Sequence, residues 1–194
     1  MGQHAGMTDV PEYALSAWRR AEPVVDADTV TRAIDRTAVR LTLALRAANP
    51  LVLCVMNGAL VYGGRLLVRL HFPLELGYVH VARYGDYTRG GSLAWVSRPR
   101  QSLAGRQVLL VDDVLDDGDT LDTVRRWASE EGAARVWTTV LVRKQTPRNE
   151  AIDIDFTALH CPDRYLIGCG MDYRGYWRNL PAVYALPEDL ERPR

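Results

Sequence analysis

The stretch VLLVDDVLDDGDTL, Val108 to Leu121, places five aspartates within fourteen residues, directly after four aliphatic side chains. Carboxylates at that density can cap a helix, hold a divalent cation or serve a catalytic centre. Asp112 and Asp113 stand at the end of a run that reads as a strand buried on both faces. In a parallel α/β sheet, ligands bind outside such carboxyl ends. Adjacent strand residues point to opposite faces, so both acids reach one ligand only if the chain turns there. Asp117-Gly118-Asp119-Thr120 then opens a helix, whose first N–H groups lack internal partners and favour an anion. Asp117 and Asp119 alone would be ordinary caps, but Asp112, Asp113 and Asp116 together exceed what capping needs.

Three other readings of the motif fail on their surroundings. As a Walker B strand it would need a phosphate loop, and GALVYGGR, Gly58 to Arg65, lacks the Lys-Ser/Thr pair. As the acidic pocket of a response-regulator receiver it would belong at the start of the domain. As a calcium loop with Gly118 at position six, it would have Val124 where a bidentate glutamate is required.

The flanking segments predict the elements that hold these acids. Val30, Ile34, Ala38, Leu41 and Leu45 recur at helical spacing, with Asp28 as the cap and Asn49-Pro50 as the stop. Leu51 to Met56 is a short apolar strand, followed by Gly58 and a helix over ALVYGGRLLVRL. Leu76 to Ala82 reads as a strand, and Arg83 to Ser92 as a loop. Val108 to Val111 is the next buried strand. Thr120 to Glu131 is a helix with Leu121, Val124, Trp127 and Ala128 on one face, ended near Gly132, and Val136 to Val142 is a further strand. From Phe156 onward the chain reads as irregular. Strand, glycine turn and helix in alternation predict an α/β fold.

At 194 residues the chain is expected to form one domain, and 47% apolar content is that of a packed globular protein. The basic and acidic residues balance at 24 each, which offers no bulk reason to bind nucleic acid or an anionic membrane. No apolar run is long enough for a membrane span, and the opening MGQHAGMTDV lacks a signal-peptide layout, so a cytoplasmic location is expected. Cys54, Cys161 and Cys169 fit no paired metal-ligand spacing and read as reduced packing residues.

Four aliphatics, two acids, two aliphatics and Asp-x-Gly-x-Thr resemble the 5-phosphoribosyl pyrophosphate (PRPP) motif of type I phosphoribosyltransferases. ARYGD, LVRKQTPRN and CPDRYLIGCGMDYRGYWRNLP resemble, in order, parts of the hypoxanthine-guanine phosphoribosyltransferases, over about Leu51 to Ala185. The resemblance implies a central, mainly parallel twisted sheet flanked by helices, over about residues 28–160. It also implies a small hood built from N- and C-terminal segments, the latter about residues 161–194. It implies magnesium-dependent transfer of phosphoribosyl from PRPP to a 6-oxopurine, giving IMP or GMP, by a homodimer or homotetramer.

Residue by residue, the resemblance makes Asp112 and Asp113 the acids that hold the ribose hydroxyls. Asp112 is one methylene shorter than the glutamate most members carry there. Asp116 becomes the general base or acid near purine N7. The 5'-phosphate cradle runs over Asp116, Asp117, Gly118, Asp119 and Thr120. Lys144 would donate to purine O6, Tyr165 would stack on the base and Leu166 would offer backbone groups to its edge. Asn57 and Gly58 form the pyrophosphate loop, often with a non-proline cis peptide, although Asn57 replaces the usual cation. Arg178 is a further pyrophosphate ligand, and Asp112, Asp113 and Asp172 are the acids for Mg2+. Arg83 and Tyr84 begin a loop that closes over the site. Asp117 and Asp119 stand where a phosphate would meet carboxylates, so their side chains are expected to turn to solvent or to other partners. Two further readings of the same fold are a PRPP- or nucleotide-sensing RNA-binding regulator, and a transferase for xanthine or a modified purine.

Overall fold

The computed structural model describes residues 9–83 and 93–191, with Arg83, Leu93 and Glu191 described in backbone alone. The elements are α1 (Glu12–Arg20), β1 (Glu22–Val25), α2 (Ala27–Leu45), β2 (Leu51–Met56), α3 (Ala59–Leu67), β3 (Glu75–Arg83) and β4 (Leu93–Ser97). They continue with β5 (Gln107–Leu115), α4 (Asp119–Glu130), β6 (Arg135–Lys144), α5 (Pro147–Glu150), β7 (Phe156–Cys161), β8 (Leu166–Ile167), β9 (Val183–Ala185) and α6 (Glu188–Glu191).

The main sheet has the order β4-β3-β2-β5-β6-β7, parallel except for β4. LVLCVM and QVLLV are apolar on both faces because both faces are covered. On one side Ile34, Leu41, Tyr62 and Leu66 from α2 and α3 pack on Val52, Leu109 and Val111. On the other side Leu121, Val124 and Trp127 of α4 pack on Leu51, Leu53, Val108 and Leu110. A second, antiparallel sheet of order β1-β9-β8 joins the N- and C-terminal segments, as expected of a hood. Leu166, Val183 and Ala185 connect it to the α2/α3 side of the core.

Three expectations are corrected. Asp26, not Asp28, caps α2, its Oδ1 accepting from Thr29 N at 2.7 Å, because Asp28 already lies inside the first turn. Phe156–Cys161 is not irregular but forms the edge strand β7. The helix over ALVYGGRLLVRL stops at Leu67, short of Arg69 and Leu70. Cys54, Cys161 and Cys169 are free and buried, as expected. Among the described residues, no helix is long and apolar enough to cross a membrane.

The topology opens a gap at one place. The chain steps from β2 through β3 to β4 on one side of the sheet, then from β5 through β6 to β7 on the other. The reversal falls between β2 and β5, where open α/β sheets bind ligands. β2 pairs with β5 only as far as Cys54↔Val111, whereas β5 stays with β6 to Leu115↔Arg143. Residues Asp112 to Leu115 therefore have a strand neighbour on one side only.

Candidate active site

A cleft of about 390 Å³ fills that gap. Asp112 and Asp113 lie in it with Asn57 and Gly58 after β2, the Asp116–Gly118 turn after β5, and Lys144 at the end of β6. Tyr165, Leu166, Asp172 and Arg178 line it from the C-terminal segment. Twelve of the residues expected from the motif and the resemblance thus meet at one site: Asn57, Gly58, Asp112, Asp113, Asp116, Asp117, Gly118, Lys144, Tyr165, Leu166, Asp172 and Arg178. Thr120, also expected there, makes a thirteenth, whereas Asp119 does not line the cleft. The side chain of Arg83, and Tyr84 with the rest of its loop, lie outside the described residues.

Asp112 and Asp113 are 7% and 8% exposed and belong to a strand that continues to Leu115, past the end expected at Val111. Both nevertheless reach the cleft, because β2 no longer flanks them. Asp112 Oδ1 accepts from Asp113 N at 3.0 Å, and Asp113 Oδ1 from Val114 N at 2.9 Å. Burial pushes both carboxyls above their usual range, Asp112 well above it with the Asp113 charge adding to the effect. For Asp113, a hydrogen bond from Asp112 and the Arg178 charge oppose the rise.

A raised carboxyl means that the folded state binds a proton the unfolded chain releases near pH 4. Stability is then highest below that pH and falls as pH rises through the folded values. Asp112→Asn removes this penalty. The unliganded variant should be more stable than wild type at pH 7 to 8, by about 0.5 to 2 kcal/mol. Thermal melts across pH check this; a variant less stable than wild type at pH 8 would contradict it.

At the next turn, Lys144 Nζ donates to Asp116 Oδ1 at 2.7 Å, and Asp163 Oδ1 lies 3.9 Å from the same amine. The Lys144 side chain is 10% exposed and that of Asp116 is 62% exposed. A buried ammonium needs a partner, and Asp116 supplies it from the solvent side. A ligand that offers an acceptor to Lys144 and an exchangeable proton to Asp116 would replace this internal pair.

The two misplaced aspartates find protein partners. Asp117 Oδ1 accepts from Asp119 N at 3.1 Å and so occupies one of the first amides of α4. Asp119 turns away from the cleft and meets Arg148 Nη2 at 2.5 Å, which removes it from the expected phosphate cradle. Gly118 takes φ +81°, the left-handed turn its position requires, with Ile152 Cδ1 packed where a Cβ would go.

On the opposite wall, the Met56–Asn57 peptide is cis, as the resemblance implied. A Cβ on Gly58 would lie 2.4 Å from the Asp113 carboxylate, so only glycine lets that acid occupy its place. Arg178 Nη2 pairs with Asp172 Oδ1 at 2.6 Å and its Nη1 donates to Gly170 O at 2.6 Å. Asp172 Oδ2 also accepts from Gly175 N at 2.6 Å. Among the described residues, no three acidic, thiol or imidazole side chains form a ready metal cluster, so Asp112, Asp113 and Asp172 do not meet as one.

Tyr165 is braced from behind. Its ring meets Tyr173 edge to face at 5.8 Å, and Tyr173 meets Tyr13 of α1 at 6.3 Å. Trp177 Nε1 donates to Ala14 O at 2.8 Å and ties α1 to the same segment. Sequence reasoning left α1 without a task and missed His80 and Met171 in the lining, as well as Gly170 behind it. His80 carries a weak signal, alternation with Val79 and Val81 along a strand.

Residues 22–174 match the phosphoribosyl transferase domain family. The hypoxanthine-guanine phosphoribosyltransferase of Streptococcus pneumoniae is 28% identical over 86% of this chain and 93% of its own length. That of Bacillus subtilis is 26% identical over 84% and 91%. Among solved structures, a hypoxanthine phosphoribosyltransferase from Staphylococcus aureus superposes with a TM-score of 0.82, at 20% identity over 91% of this chain and 97% of that one. A hypoxanthine-guanine-xanthine phosphoribosyltransferase does so at 0.79, with 28% identity over 88% and 99%. Motif, fold and cleft agree with these matches: the chain belongs to the phosphoribosyl transferase domain family and resembles, within it, the hypoxanthine-guanine enzymes.

Proposed function

We propose that the protein transfers the phosphoribosyl group of PRPP to hypoxanthine or guanine in purine salvage, giving IMP or GMP and pyrophosphate. The observation that carries this reading is the Lys144–Asp116 pair at 2.7 Å, an amine donor and an acceptor carboxylate side by side in the cleft. A 6-oxopurine satisfies both, its O6 accepting from Lys144 while Asp116 exchanges the N7 proton. Adenine would face the Lys144 donor with its amino group.

Asp112 and Asp113 bind the ribose hydroxyls, and their negative charge stabilises the ring as it becomes cationic. Backbone amides of Gly118 and Thr120 hold the 5'-phosphate, the Asp119 amide between them being taken by Asp117. Tyr165 stacks on the purine. Arg178 and the amides at Asn57 and Gly58 receive the leaving pyrophosphate, the fork of Arg178 matching its oxygens. Magnesium fits this all-oxygen donor set. Asp112 with Asp113, or Asp172, would hold it together with the substrate's phosphates, and it would neutralise charge on the departing group.

The buried, reduced cysteines fit a cytoplasmic setting. Leu60 and Val68 at α3, and Leu76 and Tyr78 of β3, are exposed apolar side chains of the kind a second copy covers. Light scattering should accordingly give a dimer or tetramer.

The test is pyrophosphate release from PRPP with hypoxanthine, guanine, xanthine or adenine, with and without magnesium. Turnover is expected with hypoxanthine or guanine, none with adenine, and none without the metal. PRPP binding without turnover of any base would sink the reading and favour a sensor of the same fold.

A further inference from the structure

β5 and β6 are last registered at Leu115↔Arg143, so the next residues along, Asp116 and Lys144, lie just beyond the end of the ladder. Backbone pairing no longer fixes the acid against the amine there. We infer that Asn149 does so: it is a positioning residue whose side-chain amide replaces the missing rung and sets the geometry of the Asp116–Lys144 pair.

Asn149 is 0% exposed, and its Nδ2 donates to Leu115 O at 2.9 Å and to Lys144 O at 3.1 Å. One amide group thus joins the carbonyl immediately before Asp116 to the carbonyl of Lys144 itself. Two acceptors fix the amide's orientation, because a flip would set Oδ1 against both carbonyls. Asn149 Oδ1 has no hydrogen-bond partner among the described residues. A buried polar atom left unsatisfied calls for a reason, and the use of both Nδ2 hydrogens at the site supplies one.

The turn that carries Asn149 is held on every side. Thr146 Oγ1 accepts from Asn149 N at 3.1 Å, and Arg143 Nη2 donates to the Asn149 and Ile152 carbonyls, the latter at 2.9 Å. Ile152 packs against Gly118, and Arg148 takes the Asp119 carboxylate at 2.5 Å. Asp119, which has no place in the phosphate cradle, therefore has one here: it anchors the start of α4 to the turn. These contacts tie the stretch from Leu115 to Asp119 to the turn from Thr146 to Ile152.

The inference rests on the proposed roles of Asp116 and Lys144, so its test needs one arm that does not depend on turnover. In a crystal structure of Asn149→Ala, the Lys144–Asp116 distance of 2.7 Å should open beyond hydrogen-bonding reach; a retained pair overturns the inference whatever the enzyme's substrate. In kinetics, Asn149→Ala should lower kcat per folded molecule about ten- to a hundredfold and raise KM for hypoxanthine about fivefold or more, the scale on which small misplacements of catalytic groups act. Asn149→Ser, which keeps one donor, should recover part of both. Loss of folded protein alone would lower apparent kcat and leave KM unchanged. That result, or wild-type kcat and KM in the folded variant, overturns the inference. If Asn149→Ala does not fold, Asn149→Ser carries the same comparison. Absence of turnover in the wild-type enzyme would count against the proposed function, not against Asn149.

Discussion

Asp116→Asn should lower kcat at least about a hundredfold, the low end of what a positioned general acid or base contributes. The substitution keeps size and shape and removes the charge and the ability to accept a proton. The Asp116 side chain is 62% exposed, so folding is not the variable that changes. What changes is the partner of Lys144, which loses the Asp116 charge and keeps a neutral amide acceptor there, with Asp163 Oδ1 at 3.9 Å. Purine affinity should respond less than kcat, since Lys144 can still donate to O6. KM for PRPP should stay near wild type, because Asp112 and Asp113 are untouched. Steady-state kinetics read all three, and a near-normal kcat would remove Asp116 from the role of proton carrier.

Gly170→Ala should unfold at markedly lower urea than wild type, with a loss of about 2 to 4 kcal/mol. Gly170 has φ +114°, which side-chain-bearing residues avoid. A Cβ there would also lie 2.0 Å from Gly58 O and 3.3 Å from Asp113 Cβ. The obstructing atom is backbone, so no rotamer change relieves the contact. Relief requires moving the Asn57–Gly58 loop, and any folded variant should bind PRPP more weakly as well. Gly175 provides the control: its φ is +88°, yet nothing lies within 4 Å of a Cβ there. Gly175→Ala should carry only the conformational part of the cost. Equal losses at the two positions would show that the close approach of Gly170 to Gly58 contributes nothing.

The contrast between these residues shows what a sequence can reveal. The strand LVLCVM was legible because it is apolar throughout, and the acids after VLLV because their types and order match one chemistry. β7, FTALHC, was not: as an edge strand with an exposed His160 it lacks the continuous apolar run of its neighbours. Asp26 and Asp28 are the same residue type two positions apart, so spacing alone could not choose the cap. The identities of Asp116 and Lys144 were readable, but not their pairing, which depends on the register of two strands 28 residues apart. Asp119 read as an anomaly in a phosphate cradle until Arg148 appeared beside it, from a turn on the far side of β6. Gly170 gave no sign among several glycines, because its importance comes from a backbone more than a hundred residues earlier in the chain.

The central claim is that the cleft builds a nucleotide from a 6-oxopurine at Lys144 and Asp116. It is tested most directly by one incubation of the enzyme with PRPP, magnesium and equal amounts of hypoxanthine and adenine, with the products identified by mass. The predicted product is the nucleotide of hypoxanthine alone, formed in step with pyrophosphate. A nucleotide made from adenine, or no nucleotide while PRPP is bound, would contradict it.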